Sequence, residues 1–251
     1  MKFTFTSPFC NFPSATSLAF AFTTLIPLTS SGALIGSWTS DRFVTDGTLD
    51  GSTVIQTTGT YAAGWNAGNG ADITVNGVEF LNNPDDDNGV DITGGGNAVT
   101  TVQNTGEFTG DFQTLMSTIE FNGDAGAPGY RSFTIGLEGL TIGTRYRIQF
   151  LSHQVTSTFA ARDMQIFFGS DTSGASTGLF QPAENTTGPS VDGYSWTAVF
   201  DADALTQDFY VNGASGEVPI INAVSVYAIP EPSTFVLLGL GASALIARRR
   251  R

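Results

Sequence analysis

Short runs in which apolar and polar residues alternate one for one, with glycine punctuating the intervals between them, restrict this chain to sheet. The clearest run is 145–151. Tyr146, Ile148 and Phe150 would share one face there, and Arg145, Arg147 and Gln149 the other, because successive strand side chains point to opposite sides. Phe133/Ile135/Leu137, Met164/Ile166/Phe168, Tyr194/Trp196/Ala198/Phe200 and Phe209/Val211 repeat the pattern, and 220–227 reads as a last strand. Asn76-Gly77 lies between Ile73-Thr74-Val75 and Val78-Glu79-Phe80, the strongest short hairpin signal. The glycine-punctuated stretch 138–143 predicts that the strands on either side of it are antiparallel neighbours. One segment has helical spacing instead: Phe112, Leu115, Met116 and Ile119, with Asp111 as the expected N-cap. A short helix plugging one end of the fold is expected there. About nine strands, one helix and glycine-rich turns predict an all-β chain, an antiparallel β-sandwich of jelly-roll type.

The two ends read differently. Lys2 is the only lysine, residues 18–28 form an apolar stretch, and Ser31 and Ala33 supply small residues ahead of a cut between Ala33 and Leu34. That is the layout of a secretory signal peptide. At the other end Pro230-Glu231-Pro232 cannot extend a sheet, because two prolines fix φ and lack N–H donors. An uncharged run from Phe235 to Ala247 follows, and then Arg248, Arg249, Arg250 and Arg251. As a helix the run would be about 20 Å long at roughly 1.5 Å per residue, whereas a bilayer core is about 30 Å thick. Such a stub inserts without making a lasting anchor, and its arginines stay on the cytoplasmic side. The expected organisation is a signal peptide at 1–33, a β-sandwich at 34–228 and a tail at 229–251, with hydrophobic targeting helices at both ends.

Proline-flanked acid, short apolar helix and arginine cluster, in that order, resemble the PEP-CTERM sorting signal of bacterial surface proteins. The resemblance implies an exosortase substrate that passes through the export machinery and is held transiently in the inner membrane. It would end at the cell surface or in the extracellular matrix of a Gram-negative-type bacterium. The body, through residues 137–150 (G-L-x-x-G-x-x-Y-x-I-x-F at its centre), 194–200 and 220–227, resembles galactose-binding-like jelly rolls. It is similar, more narrowly, to a β-sandwich found ahead of such tails, in which V-N-G-V-x-F (here 75–80) and a final I-N-A (here 221–223) recur.

Composition narrows the chemistry of the body. The chain's one cysteine, Cys10, would leave with the signal peptide, so the exported part has neither disulfide nor thiol nucleophile. Residues 34–230 set 22 carboxylates against five arginines, and a phosphate backbone demands the opposite, so nucleic acid is excluded as a partner. His153 is the sole histidine, no G-x-S-x-G elbow accompanies it, and it reads as a loop histidine facing solvent. Glu107, Glu120 and Glu138 lack the close alternating spacing of β-sandwich glucanases. The loop holding Asp85, Asp87 and Asp91 gathers oxygen donors suited to Ca²⁺, although it departs from the EF-hand register. Trp196 reads as core, while Trp65, among small residues in 63–68, is the expected exposed ring for a sugar contact.

The reading that follows is a non-enzymatic exported surface or matrix protein without a cofactor, Ca²⁺ aside. A carbohydrate-binding module for exopolysaccharide is the alternative, and a glycan-active hydrolase ranks behind it.

Overall fold

The computed structural model describes residues 33–44, 47–67, 71–82, 89–94, 108–121, 131–154, 162–182 and 192–230. Both expected terminal helices, together with Asp85, Asp87, Glu231, Pro232 and Arg248 to Arg251, lie outside the described residues. Among the described residues no helix is long and apolar enough to cross a membrane.

In chain order the elements are β1 (Ala33–Leu34), β2 (Thr39–Val44), β3 (Thr60–Asn66), β4 (Ile73–Val75), β5 (Val78–Phe80), β6 (Val90–Thr93), α1 (Gly110–Met116), β7 (Glu120–Phe121) and β8 (Ser132–Leu137). They continue with β9 (Arg145–Ser152), β10 (Met164–Phe168), β11 (Asp192–Asp201), β12 (Gln207–Gly213), β13 (Ile220–Ile221) and β14 (Ala223–Ala228). A six-stranded sheet runs β1-β11-β9-β14-β3, with β2 also paired to β11; a four-stranded sheet runs β10-β12-β8-β6. Every strand pairing in both is antiparallel.

The alternating residues do what their period demands. Tyr146, Ile148 and Phe150 of β9, Ala198 and Phe200 of β11 and Val224 and Val226 of β14 meet Phe133, Ile135 and Leu137 of β8 and Phe209 and Val211 of β12 in one core between the two sheets. Phe209 is its aromatic hub, with ring centroids of Phe150, Phe168, Phe200 and Trp38 5.3 to 6.1 Å away. Trp38 closes the sandwich by donating its indole N–H to Ala175 O at 3.0 Å.

The larger sheet is covered on its second face as well. Phe112, Leu115 and Met116 of α1 pack with Ile73, Val75, Val78 and Phe80 of the β4–β5 hairpin onto Leu151, Ala223 and Tyr227. The helix therefore lies on the outer face of the large sheet, across the end at which β9 stops and β14 starts, where a plug for one end was expected. Leu151 and Ala223 sit at the positions of β9 and β14 that point away from the inter-sheet core, and they present the apolar floor that its stripe needs. The N-cap is Thr109, with Asp111 inside the first turn; Gln113 reaches back to accept the Phe108 N–H at 2.9 Å.

Segment 49–59 straps the same face through polar groups. Gln149 donates to Val54 O at 2.7 Å and accepts from the Gln56 N–H at 3.1 Å, while Arg147 donates to Thr58 O at 2.7 Å and stacks over Tyr227. Gly51 makes this close approach possible. Its φ is +84°, and a Cβ there would meet the Phe112 ring at 2.7 Å. Gly51→Ala is expected to cost about 2 kcal/mol or more, combining a left-handed alanine with overpacking. A lowered thermal midpoint of the purified chain checks it.

The Asn76-Gly77 hairpin forms as its sequence requires, both central residues having positive φ (52° and 76°), the type I′ geometry. The strands on either side of 138–143 do not pair with each other: β8 belongs to the smaller sheet and β9 to the larger. Their connection is an arch between sheets because its backbone bonds to a second arch, 202–206. Leu140 N–H donates to Leu205 O, Gly143 N–H to Ala202 O, and Ala202 N–H to Thr144 O, at 2.7 to 3.0 Å. The last strand is also split. β13 pairs with β7, β14 pairs with β9 and β3, and Asn222 stands between them.

Candidate functional site

Two kinds of site can be built from these elements: a point where the chain leaves the fold, and clusters of polar side chains within it. The exit comes first. β14 stays in register with β9 to its end, Ala228 opposite Tyr146, and Ile229 N–H still donates to Arg145 O at 2.8 Å. Pro230 has no N–H to continue the ladder and is exposed. Pro230, the first residue of the expected sorting motif, thus stands outside the sheet one residue after its last hydrogen bond. At the entrance, Ala33 pairs with Asp201 and Leu34 with Phe200, and Ile35 N–H donates to Val199 O at 2.7 Å. A cut after Ala33 leaves Leu34 and Ile35 held on β11.

Trp65 is not an exposed stacking ring. It is 1% exposed, packed in the inter-sheet core, and its indole N–H has no hydrogen-bond partner among the described residues. Reading small neighbours as a loop missed that 63–66 are strand β3, where small residues let the β4–β5 hairpin close in: Leu81 N–H donates to Gly64 O and Asn66 N–H to Leu81 O. Trp196 is core, as expected.

His153 overturns its expectation in the same way. It is fully buried, with its ring edge-on to Phe108 at 5.0 Å and tilted on Phe43 at 6.3 Å. Its backbone N–H donates to Asn222 Oδ1 at 2.6 Å. Asn222 Nδ2 in turn donates to Met116 O and Thr118 O at 3.0 Å, so one amide ties the C-terminus of α1 to the end of β9. Thr118 adds a bond to Asn66 Oδ1 at 2.6 Å, and Ser152 donates to Ile220 O at 2.7 Å. This buried polar seam organises the fold and presents no reactive group to solvent. The residues within it that sequence reading passed over are Asn66, Thr118 and Ser152; only Asn222 carried a signal, the I-N-A stretch.

Of the expected calcium ligands, Asp91 is described. It lies on β6 opposite Gly136 of β8, whose other neighbour is Asp208 of β12. Burial, reinforced by the nearby Asp91 charge, pushes the Asp208 carboxyl up. Among the described residues no group of three or more His, Cys, Asp or Glu side chains could hold a metal ion. Glu120 is buried on β7 and Glu138 is exposed in the first arch, on separate elements.

The exit point is therefore the feature with a functional sequence attached. Residues 228–251 match the PEP-CTERM protein-sorting motif. A PEP-CTERM tail marks an exported protein sorted through an exosortase. The chain is similar to one in the crystal structure of the plant peptide RALF23 in complex with FER and LLG2, at 16% identity and a TM-score of 0.37. That alignment covers 75% of this chain and 54% of the other, so this chain spans about half the length of the solved one. No curated protein matches the sequence.

Proposed function

We propose that this chain is a non-enzymatic, exported cell-surface or extracellular-matrix protein, an acidic β-sandwich delivered by its PEP-CTERM tail. The observation that carries the reading is the exit geometry. The last sheet hydrogen bond is made by Ile229 and the next residue, Pro230, which opens the Pro-Glu-Pro motif, is exposed and outside the sheet. The tail is held for a time in the inner membrane with Arg248 to Arg251 on the cytoplasmic side, and an exosortase then processes it. The body is a jelly roll of the galactose-binding-like kind. Support for this is that β8 to β12 change sheet at every step, as does the β12-to-β14 passage. It needs no cofactor, and its buried polar groups serve the fold.

Expression in a bacterium that has an exosortase tests this. The expected result is an envelope or extracellular product shortened at both ends. Changing Arg248 to Arg251 to serine should accumulate precursor with an unprocessed tail, read by mass spectrometry of each fraction. Recovery of the intact chain from the cytosol overturns the proposal. Binding of exopolysaccharide loses its assigned contact with the burial of Trp65; the exposed large aromatic among the described residues is Tyr61, which lies T-shaped against Tyr227.

Tyr61 supplies a separate pH prediction. Burial, then the nearby Glu79 and Tyr227, push its phenol up to about 12. Its O–H donates to Glu79 O, a bond that the phenolate cannot make. With the folded pKa raised, the contribution to stability is complete below pH 10 and is lost as pH rises towards 12. An ultraviolet titration of wild type against Tyr61→Phe should show one late-titrating phenol missing from the variant.

A further inference from the structure

We propose that the end of the sandwich where the chain both enters and leaves rests against the lipid bilayer while the tail is inserted, with Ile142 and Leu205 dipping into the interface. The inference rests on the PEP-CTERM reading of the tail.

Strand register gathers both termini at one end. Ala33 pairs with Asp201, Asp201 with Arg145, and Tyr146 with Ala228, so the start of β1, the end of β11, the start of β9 and the end of β14 are level. The two arches close the same end and are bonded to each other through Leu140, Gly143, Ala202 and Leu205. Each arch buries one residue and displays another. Leu140 and Ala202 are buried, whereas Ile142 is 60% and Leu205 62% exposed. Tyr61, on the second residue of β3, turns its phenol away from this end, towards Glu79 O, and takes no part in the contact. Single exposed aliphatics need no explanation. Two on tied arches, beside the exit of a membrane-directed tail, match the apolar contacts that dip into a bilayer interface.

Chain length keeps this end close to the membrane. From Ile229, still bonded to Arg145, to Phe235, where the apolar run begins, there are six residue steps, which reach at most about 20 Å when fully extended. An inserted tail therefore keeps this end within about 20 Å of the headgroups. The charges here suit a zwitterionic surface better than an anionic one. Arg145 is neutralised by Asp201 through a two-pronged ion pair at 2.9 and 3.1 Å, and the two arches carry Glu138 and Asp203 but no basic side chain.

The test uses the full chain with Cys10→Ser, reconstituted into phosphatidylcholine vesicles containing spin-labelled lipid. A single environment-sensitive fluorophore is placed at Ile142→Cys, at Leu205→Cys, or at Leu179→Cys. Leu179 is a comparably exposed control (61%) in the segment that pairs with the opposite end of β10, through Phe180 and Met164. Side chains at an interface enter the headgroup boundary by about 5–10 Å, so lipid quenching at 142 and 205 should exceed that at 179 at least about twofold. Equal quenching at all three positions, with the chain floating on the vesicles, overturns this inference and leaves the tail reading intact. A chain that does not float overturns the tail reading, and the inference with it.

Discussion

Asn222→Ala is expected to lower the free energy of unfolding by about 3 kcal/mol, since one side chain serves three buried backbone groups and each loses a partner worth roughly 1–3 kcal/mol. Those groups are the His153 N–H and the Met116 and Thr118 carbonyls, which belong to segments far apart in sequence. The damage should be shared between α1 and the end of β9. Urea unfolding checks this: the midpoint falls while the slope stays constant, the sign of a stability change without a change in exposed surface. Asn222→Asp gives a second, pH-dependent readout. Its carboxylate can still accept from His153 but faces two carbonyls, so the folded state raises its pKa. The variant is then most stable below the ordinary carboxylate range and loses stability as pH rises through the shifted value. A variant indistinguishable from wild type would show that α1 is held by its apolar stripe alone.

Trp65→Ala should be as costly or more so, about 3–5 kcal/mol for removing a large buried aromatic from a packed core. Its position between the sheets, at 1% exposure, leaves no face for a sugar ring. Trp65→Phe separates packing from recognition. The indole N–H makes no hydrogen bond among the described residues, so phenylalanine forfeits volume alone and should cost well under half as much. On a glycan array Trp65→Phe should match wild type at every spot. A loss of glycan signal in a well-folded Trp65→Phe protein would restore the sugar contact and contradict the burial.

Much of the architecture is legible in the residues because period two leaves little freedom. Once Tyr146, Ile148 and Phe150 share a face, β9 must bury that face, and the same holds for β8, β11 and β12. Asn76-Gly77 specified its turn because both positions need positive φ. The tail was legible for a different reason: it is read as an address, and its proline, apolar and arginine pieces act in sequence order without needing a fold. The site residues inside the body were not legible. Trp65 and His153 were assigned to the surface from their neighbours in the chain, but burial is set by neighbours in space.

Sequence alone determined the sheet, the hairpin, the amphipathic stripe of α1 and the sorting tail, since each is encoded within a few consecutive residues. The tertiary structure decided which surface that stripe covers, that the 138–143 connection arches between sheets where a hairpin was expected, and that both chain ends meet at one edge of the body. Those outcomes depend on hydrogen bonds between residues tens of positions apart, such as Leu140 to Leu205 and Asn222 to Met116, and on the apolar floor offered by Leu151 and Ala223. Local periodicity specifies that a face must be buried; which partner buries it is settled when the chain closes on itself.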